Sequence, residues 1–413
     1  MEPVRFKPAD LAAVLPPGGL TLVSSCSAES AVLAQSVMGA GDALGPMTFS
    51  GIFVPGLNRQ TWLASSQCRV LTFFMTPELK AAGGQVEFLP LCYQDILRLY
   101  RRYKPSAALF MCSPPDENGN CSFGSEVAFI ADLWRDIPVR IAHINPLMLR
   151  TKGDPGIPFS ALTAFVEAEQ PLLESSAASA DPLNTAIAGH VVPFVPDGAT
   201  LQTGLGKIPD AVMRGLTSHR DLRVHTGLMG DGVLELLESG AMADGVSAQV
   251  GVAIGSNALY QALDHSKLSF APVSVTHGIA PLAAIDNLIT INSAMEVDLL
   301  GQAYAEMTPK GLMSGPGGAS DFARGARSGN GVRIIALPSA AKGGTISRIV
   351  APCAGSGPVS LSRMDIDVVV TEHGAADLRE KTYHDRAEAL IAIATPVQRP
   401  ALRAAWQEFA ETL

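Results

Sequence analysis

The stretch LRVHTGLMGDGVLELL, from Leu222 to Leu237, indicates the fold class. Its first half predicts a β-strand, the glycines that follow predict a loop, and VLELL predicts the start of a helix. A strand that leads through a loop into a helix is typical of α/β proteins, in which ligands bind at the carboxyl ends of parallel strands. Gly227 stands at this predicted strand end without a side chain, so the position needs an explanation.

The same alternation continues along the whole chain. Short apolar segments alternate with amphipathic stretches such as ILRLYRRY and AVMRGL. This pattern predicts a doubly wound α/β fold with largely parallel sheets flanked by helices on both faces. The predicted strands are LTLVSS, RVLTFF, AALFMC, VRIAHI, TLQTGL, LRVHTG, ITINSA, VRIIAL and DVVVTE.

A length of 413 residues favours two domains over a single core. The segment ESSAASADPLNT, residues 174–185, is small, polar and without apolar periodicity, so it is the predicted linker. We therefore expect an N-terminal domain over residues 1–187 and a C-terminal domain over residues 188–413.

Charge and cysteine usage exclude several classes of protein. The net charge is -9 and no long basic run is present, so nucleic acid is not expected as a partner. No apolar run reaches the roughly 18 to 20 residues of a membrane helix, and the cytoplasm is the expected compartment. The cysteines form no CxxC pair, which predicts reduced core thiols and no metal site. Of these, Cys112 and Cys121 flank the turn-rich PPDENGN, so a contact between them is conceivable.

Two glycine-rich loops lie between predicted strands and helices, in QTGLGKIPDAV and MSGPGGASDF. Such a loop lets backbone N–H groups approach an anion at a helix N-terminus, although a tight turn explains each loop equally well. No G-K-[ST] follows either loop, and Pro209 stands where a dinucleotide fingerprint needs its third glycine. Nucleotide hydrolysis and hydride transfer are therefore disfavoured.

Several longer motifs occur in a characteristic order: PPDENGNCSFG, INPLMLRTKGD, DGATLQTGLGKIPDAV, INSAMEVDLLGQAYAE, SGPGGASDFARGA and the tail that contains VVVTEHGAADL. Together they resemble the acetyl-CoA hydrolase/transferase family, which includes 4-hydroxybutyrate and butyrate CoA-transferases. The resemblance extends from about residue 15 to residue 402. It implies two α/β domains of the CoA-transferase fold, an acyl-CoA substrate, a small carboxylic acid as a further partner, and a homodimer or higher homo-oligomer.

The resemblance also implies a mechanism, in which a glutamate attacks the thioester and a side-chain amide with a backbone N–H stabilises the oxyanion. The motif that carries this glutamate matches His225 and Thr226, and the glutamate position is Gly227. The motif that carries the amide matches SVTHGIAP, in which His277 takes the place of the asparagine. The backbone donor corresponds to Gly318.

Without a carboxylate at position 227, double displacement cannot proceed there. Asp231 and Glu235 are the nearest substitutes, and Glu235 is expected one turn into a helix. The missing side chain predicts space for water, and His277 is then the candidate general base for hydrolysis of a thioester or of a carbon–carbon bond in a β-oxo acyl-CoA. Alternatively, His277 hydrogen-bonds a carbonyl group or donates to the oxyanion.

The remaining polar residues receive more modest roles. His225 is expected to support the strand end or to contact substrate. The carboxylates of Glu296 and Asp298 are expected to hold a loop by hydrogen bonds rather than to catalyse, and the same caution applies to Glu372 and His373. Residues expected to lie near the CoA moiety are Gly204, Gly206, Gly315, Gly317, Arg324 and Lys342.

Three classes of function remain open from the sequence. The first is an acyl-CoA enzyme that uses water as its nucleophile. The second is a CoA-transferase that works without the usual glutamate, through direct attack by an acceptor carboxylate or through a substitute residue. The third is a non-catalytic acyl-CoA-binding protein or partner subunit.

Overall fold

The structure is a computed structural model that describes residues 2–175 and 181–413. The strands are β1 (Val4–Arg5), β2 (Leu20–Val23), β3 (Thr48–Gly51), β4 (Arg69–Thr72), β5 (Val86–Phe88), β6 (Ala107–Cys112), β7 (Asn120–Cys121), β8 (Val139–Ile144), β9 (Ile157–Pro158), β10 (Ala164–Glu167), β11 (Thr200–Thr203), β12 (Arg223–Met229), β13 (Ala248–Ala253), β14 (Leu268–Phe270), β15 (Leu288–Asn292), β16 (Glu296–Asp298), β17 (Ala303–Tyr304), β18 (Met307–Thr308), β19 (Gly311–Leu312), β20 (Val332–Ala336), β21 (Ala340–Ala341), β22 (Ile346–Ser347), β23 (Ile349–Val350), β24 (Val368–Thr371) and β25 (Gly374–Asp377).

Helices alternate with these strands. They are α1 (Leu11–Val14), α2 (Ala31–Ala40), α3 (Pro77–Ala82), α4 (Tyr93–Tyr103), α5 (Ala128–Leu133), α6 (Pro182–Val191), α7 (Lys207–Gly215), α8 (Gly232–Ser239), α9 (Asn257–Gln261), α10 (Val273–Thr276), α11 (Ile279–Ala283), α12 (Ala319–Ala326), α13 (Tyr383–Ile393) and α14 (Arg399–Ala410). The α/β class predicted from the sequence is confirmed, and every predicted strand is present.

The chain forms two compact units. Unit 1 comprises Met1–Ser176 and Ala248–Thr276, and unit 2 comprises Ala177–Ser247 and His277–Leu413. The main sheet of unit 1 has the strand order β1-β10-β8-β6-β2-β3-β4-β5, and all of its pairings are parallel. Because both faces of such a sheet are covered, its central strands can be apolar along their whole length, as the fully buried β6 illustrates.

Unit 2 contains a second sheet, with the order β12-β11-β15-β20-β24-β25. Neighbouring strands from β11 to β24 run parallel, and β25 returns antiparallel to β24. Helices α13 and α14 pack their apolar side chains, among them Leu390 and Trp406, into a core that also contains Val369. The carboxyl ends of β11, β12 and β15 therefore lie along one edge of this sheet.

The segment 248–276 belongs to unit 1, although it follows a long stretch of unit 2. The N–H of Val127 donates to Gly251 O at 3.1 Å, and the N–H of Ala253 donates to Ser125 O at 2.9 Å. These contacts join residues that are far apart in the chain, so local sequence patterns do not reveal them. Division of the chain at residue 188 remains a sequence-based prediction, because compact units need not coincide with the domains of a family.

The predicted linker is only partly a linker. Residues 176–180 lie outside the described residues. Asp181 caps α6 by accepting a hydrogen bond from the N–H of Leu183, and Pro182 occupies the first helical turn. The last part of the segment, PLNT, is therefore helical. Its aspartate followed by proline is a helix-start signal that the polar composition concealed.

Candidate active site

Gly227 lies inside a strand rather than at its end. β12 continues to Met229, because Leu228 and Met229 keep the extended conformation. The side chain of Thr226 turns away from Gly227 and donates to Thr203 O, the last residue of β11, at 2.8 Å. This bond fixes β12 against β11. The expectation that Gly227 marks the strand end was therefore wrong by two residues.

The imidazole of His277 covers Gly227. His277 follows α10 and precedes α11 in the chain. A Cβ atom added to Gly227 would overlap Cε1 of His277 and would lie 2.5 Å from its Nε2. Since Cβ atoms do not approach other atoms so closely, position 227 has to be glycine while the ring occupies this place.

A second glycine and an aromatic ring complete the enclosure. A Cβ atom on Gly318 would lie 2.6 Å from Nε2 of His277, and the ring of Phe322 lies 4.7 Å from the imidazole, measured between centroids. Gly318 precedes α12, and Phe322 stands one turn further along that helix. We call Gly227, Gly318 and Phe322 the His277 slot.

The expected space for water at Gly227 is therefore absent. Removal of a glutamate side chain leaves a void only if nothing else moves in, and here the imidazole fills the volume beside the Cα atom. The absence of a side chain at Gly227 and the position of the His277 imidazole are two parts of one packing arrangement. This correction leaves the role of His277 open, but it removes the water pocket from the argument.

Burial keeps His277 neutral. The side chain is only 3% exposed, and burial lowers its pKa to about 3, with a further lowering by His225. His225 and Gly227 are two residues apart on a strand, so the His225 side chain points to the same face as the His277 slot. At neutral pH the His277 ring therefore has one N–H group and one basic nitrogen.

The N-terminus of α12 faces the same ring. Gly318 occupies the N-cap position with φ of -94°. Within residues 2–175 and 181–413, the structure gives the N–H of Gly318 no acceptor. A free N–H at a helix N-terminus can stabilise a developing negative charge.

The glycine loops are placed as expected, each directly before a helix. Gly204 follows β11, and Gly206 precedes α7 with a φ of 120° that a side chain would not tolerate. Gly315 and Gly317 precede Gly318, and Gly317 also has a positive φ, of 63°. A Cβ atom at Gly204 or Gly206 would meet no atom within 4 Å, so the first loop is open to a close-approaching group.

The two basic candidates are exposed side chains. Arg324 lies near the end of α12, and Lys342 lies in the turn that joins β21 and β22. Their assignment to CoA phosphates remains a prediction.

The carboxylates nearest in sequence to position 227 are held elsewhere. Glu235 lies in the first turn of α8, as predicted. Burial raises the pKa of Asp210, which lies on α7. The charge of Asp231 raises this pKa further, so Asp231 lies close to α7.

The structural role predicted for Glu296 and Asp298 is confirmed. Glu296 accepts from the N–H of Ser356 at 2.6 Å. Asp298 accepts from the N–H of Cys353 at 3.1 Å and from the hydroxyl of Tyr304 at 3.0 Å. These bonds hold the chain between β23 and residue 361 against β16.

Glu372 also has a structural partner. It accepts hydrogen bonds from both the N–H and the hydroxyl of Ser339, at 2.8 and 2.6 Å. His373 lies 3.7 Å from the same carboxylate through its Nε2. Glu372 therefore ties the end of β24 to the segment after β20, and His373 lies beside its carboxylate. These contacts give both residues a structural role.

The sequence did not single out two features that the structure reveals. Phe322 forms one wall of the His277 slot, and its spacing of one helical turn from Gly318 was the available signal.

In unit 1, the half-buried Glu126 accepts from the hydroxyl and the N–H of Ser25 at 2.6 and 3.1 Å, and burial raises its pKa to about 8. A single acid inside the apolar run SFGSEVAFI could have been noted.

The chain is similar in sequence to known proteins. The acetyl-CoA hydrolase/transferase C-terminal domain matches residues 255–406. A 4-hydroxybutyrate coenzyme A transferase from Clostridium kluyveri is 36% identical over 331 residues, which cover 78% of this chain and 77% of the relative. The chain belongs to the acetyl-CoA hydrolase/transferase family.

Solved structures of similar proteins agree with the fold. RipA from Yersinia pestis matches with a TM-score of 0.91 at 27% identity, over 98% of each chain. A 4-hydroxybutyrate CoA-transferase from Porphyromonas gingivalis matches with a TM-score of 0.82 at 29% identity, over 100% of this chain and 98% of that one. The protein is thus an enzyme of this family, with the CoA-transferase fold and with acyl-CoA chemistry.

Two further observations concern metal ligands and membrane-spanning helices. Among residues 2–175 and 181–413, no group of three or more His, Cys, Asp or Glu side chains is arranged to hold a metal ion. Within the same residues, no helix is long and apolar enough to cross a membrane.

Proposed function

We propose that the protein hydrolyses an acyl-CoA, with water in place of the glutamate that other family members use as nucleophile. One observation carries this proposal. The imidazole of His277 occupies the place beside Gly227 where the nucleophile's side chain would begin, so a carboxylate and this ring exclude one another. A neutral imidazole thus replaces a carboxylate at the centre of the family's active site.

His277 acts on protons in this proposal. Its basic nitrogen accepts a proton from water as the water oxygen bonds to the carbonyl carbon. The carbon–sulfur bond then breaks, the electron pair leaves with sulfur, and the proton passes from the imidazolium to the CoA thiolate. The products are a carboxylic acid and CoA.

The low pKa of His277 is compatible with this role because the site gains a negative charge during the reaction. Burial penalises the imidazolium in the free enzyme. An oxyanion next to the ring offsets this penalty, because opposite charges attract strongly at low dielectric constant. The Gly318 N–H, on the other side of the ring, donates to the same oxyanion.

The CoA moiety is expected to lie along the glycine loops before α7 and α12. Gly204, Gly206, Gly315 and Gly317 have no Cβ atoms, so pantetheine or phosphate oxygens can approach the backbone N–H groups closely. Arg324 and Lys342 supply positive charge to the phosphates, and His225 contacts the substrate beside the slot. The protein is expected to work in the cytoplasm as a homodimer.

Transfer of CoA to a carboxylic acid is the second candidate. It is favoured by the similarity to 4-hydroxybutyrate CoA-transferase. Without a glutamate at position 227, an acceptor carboxylate must attack the thioester itself. Cleavage of a β-oxo acyl-CoA differs only in the carbonyl group that water attacks.

The test is turnover of a panel of acyl-CoAs with and without acetate. Release of free thiol without acetate supports hydrolysis. Exchange that requires acetate overturns hydrolysis in favour of transfer, and formation of a carboxylic acid and a shortened acyl-CoA without free thiol identifies carbon–carbon cleavage. Binding of CoA without turnover overturns both enzymatic proposals.

His277→Asn supplies the decisive variant, because asparagine can donate a hydrogen bond but cannot accept a proton. Loss of turnover with retained CoA binding supports the role as a base. Unchanged turnover overturns it. His190→Asn is the matched control, since His190 is exposed on α6 and lies outside the slot.

A further inference from the structure

Two cysteines of unit 1 stand at the two ends of one loop. Cys112 is the last residue of β6, and Cys121 is the last residue of β7. The N–H of Ser113 donates to Ser122 O at 2.8 Å, and the N–H of Ser122 donates to the Ser113 hydroxyl at 2.9 Å. These two bonds hold the residues that follow each cysteine against one another.

The loop between the cysteines is also closed at its outer end. The N–H of Asp116 donates to Asn120 O at 2.9 Å. Arg150 then joins both sides of the loop, because its guanidinium donates to Asn120 O at 2.8 Å and to the Asp116 carboxylate at 2.9 Å. The backbone between residues 113 and 120 is therefore fixed at several points, which limits how far the two thiols can separate.

The two cysteines also affect each other's ionisation. The interaction with Cys121 raises the pKa of Cys112, the interaction with Cys112 lowers the pKa of Cys121, and the nearby Arg150 lowers the pKa of Cys121 further. Asp116 opposes the lowering of the pKa of Cys121, whereas Asp154 adds to the raising of the pKa of Cys112. The two sulfurs thus differ, with a better nucleophile beside a protonated partner.

We propose that Cys112 and Cys121 form a reversible disulfide when the protein meets hydrogen peroxide. The Cys121 thiolate attacks one peroxide oxygen, the oxygen–oxygen bond breaks, and hydroxide leaves. The Cys112 sulfur then attacks the resulting sulfenic acid, and a second hydroxide leaves. Two sulfurs lose two electrons in total, and the peroxide with the two thiol protons becomes two water molecules.

The burial of both cysteines sets the rate of this reaction. Each side chain is 0% exposed, whereas Pro115, Glu117 and Asn118 of the loop above them are exposed. Peroxide therefore reaches the sulfurs when this loop opens, and oxidation is expected to be slower than that of the exposed Cys353. The inference does not depend on the acyl-CoA chemistry, because none of these residues belongs to the His277 slot.

The test uses the reduced full-length protein and hydrogen peroxide. After the peroxide is removed, the protein is unfolded, alkylated and mapped by mass spectrometry. The expected result is a Cys112–Cys121 crosslink, with two fewer alkylated thiols, which a phosphine reductant reverses. Native protein in which both thiols remain alkylatable, after Cys353 has been oxidised, overturns the proposal.

Variants distinguish the roles of the two sulfurs. With Cys112→Ser, the sulfenic acid at Cys121 is expected to persist and to react with dimedone. With Cys121→Ser, Cys112 is expected to give no such adduct. Cys68→Ser is the matched control, because Cys68 is equally buried in unit 1, and it should leave the crosslink intact. The mapping of the wild-type protein decides the matter even where a variant fails to fold.

Discussion

The imidazole of His277 fills the volume that a side chain at Gly227 would need. A side chain at position 227 and the imidazole in its present place exclude one another. In the proposed motif register, this relationship makes the two departures from the family pattern parts of one change.

Gly227→Ala should destabilise the protein by about 1–3 kcal/mol, the usual cost of an overpacked core. The added Cβ atom collides with His277, so either the ring or β12 must move. Urea unfolding measures the effect. The matched experiment adds the same substitution to His277→Ala, where the collision is absent and the cost should largely vanish; equal costs in both backgrounds would show that the two residues do not compete for space.

Gly227→Glu should restore CoA exchange with acetate only in combination with His277→Asn. Alone, the glutamate meets the imidazole and should impair folding or binding. Together, the two substitutions recreate the nucleophile and the amide of the family mechanism. Incorporation of labelled acetate into acetyl-CoA is the measurement, and the slot is wrongly described if Gly227→Glu alone exchanges as fast as the double variant.

The acid limb of the pH profile should lie well below the ordinary histidine value. Burial lowers the pKa of His277 to about 3, so the free enzyme keeps the ring neutral as pH falls through 6.5. We expect kcat/KM to stay level between about pH 5.5 and about pH 7.5, about one pH unit below and above the ordinary value. A drop centred near 6.5, absent in His225→Asn, would instead assign the limb to His225.

Unfolding free energy should fall as pH rises from about 4.5 to about 8. Burial raises the pKa of Glu126 to about 8 and that of Glu29 to about 7 from an ordinary 4.5. A carboxyl with a raised folded-state pKa favours folding when protonated. This contribution is complete below the unfolded value and is lost as pH rises through the folded value.

Glu126→Gln isolates this effect. The amide cannot ionise and can still accept from Ser25, so the slope of unfolding free energy against pH should become shallower by up to about 1.4 kcal/mol per pH unit. The exposed Glu117→Gln is the control and should leave the slope unchanged. Parallel profiles for the wild type and Glu126→Gln would mean that Glu126 ionises normally in the folded protein.

The sheets were predictable because their signals are local. The buried parallel strand β6 is a continuous apolar run, and the amphipathic α4 follows from helical periodicity. The return of residues 248–276 to unit 1 was not predictable, because it depends on pairing between strands more than a hundred residues apart. Single-sequence patterns carry no information on such pairings.

For the site, the motif register identified Gly227, His277 and Gly318, which the structure brings together. It could not show that the imidazole moves into the vacated place, because a missing side chain suggests an empty pocket unless the packing around it is known. Phe322 escaped notice for the same reason, since its contact with the imidazole follows from the path of the chain at His277 and not from any motif.

Hydrolysis is tested most directly by turnover in water labelled with oxygen-18, followed by mass spectrometry of the carboxylic acid. If water attacks the thioester, the wild-type product carries one labelled oxygen, and His277→Asn forms it far more slowly, on the order of the hundredfold or greater loss typical of a removed general base. If the acid gains labelled oxygen equally fast in His277→Asn, then His277 does not activate water; if the acid forms only when acetate is supplied and carries no labelled oxygen, the enzyme is a transferase.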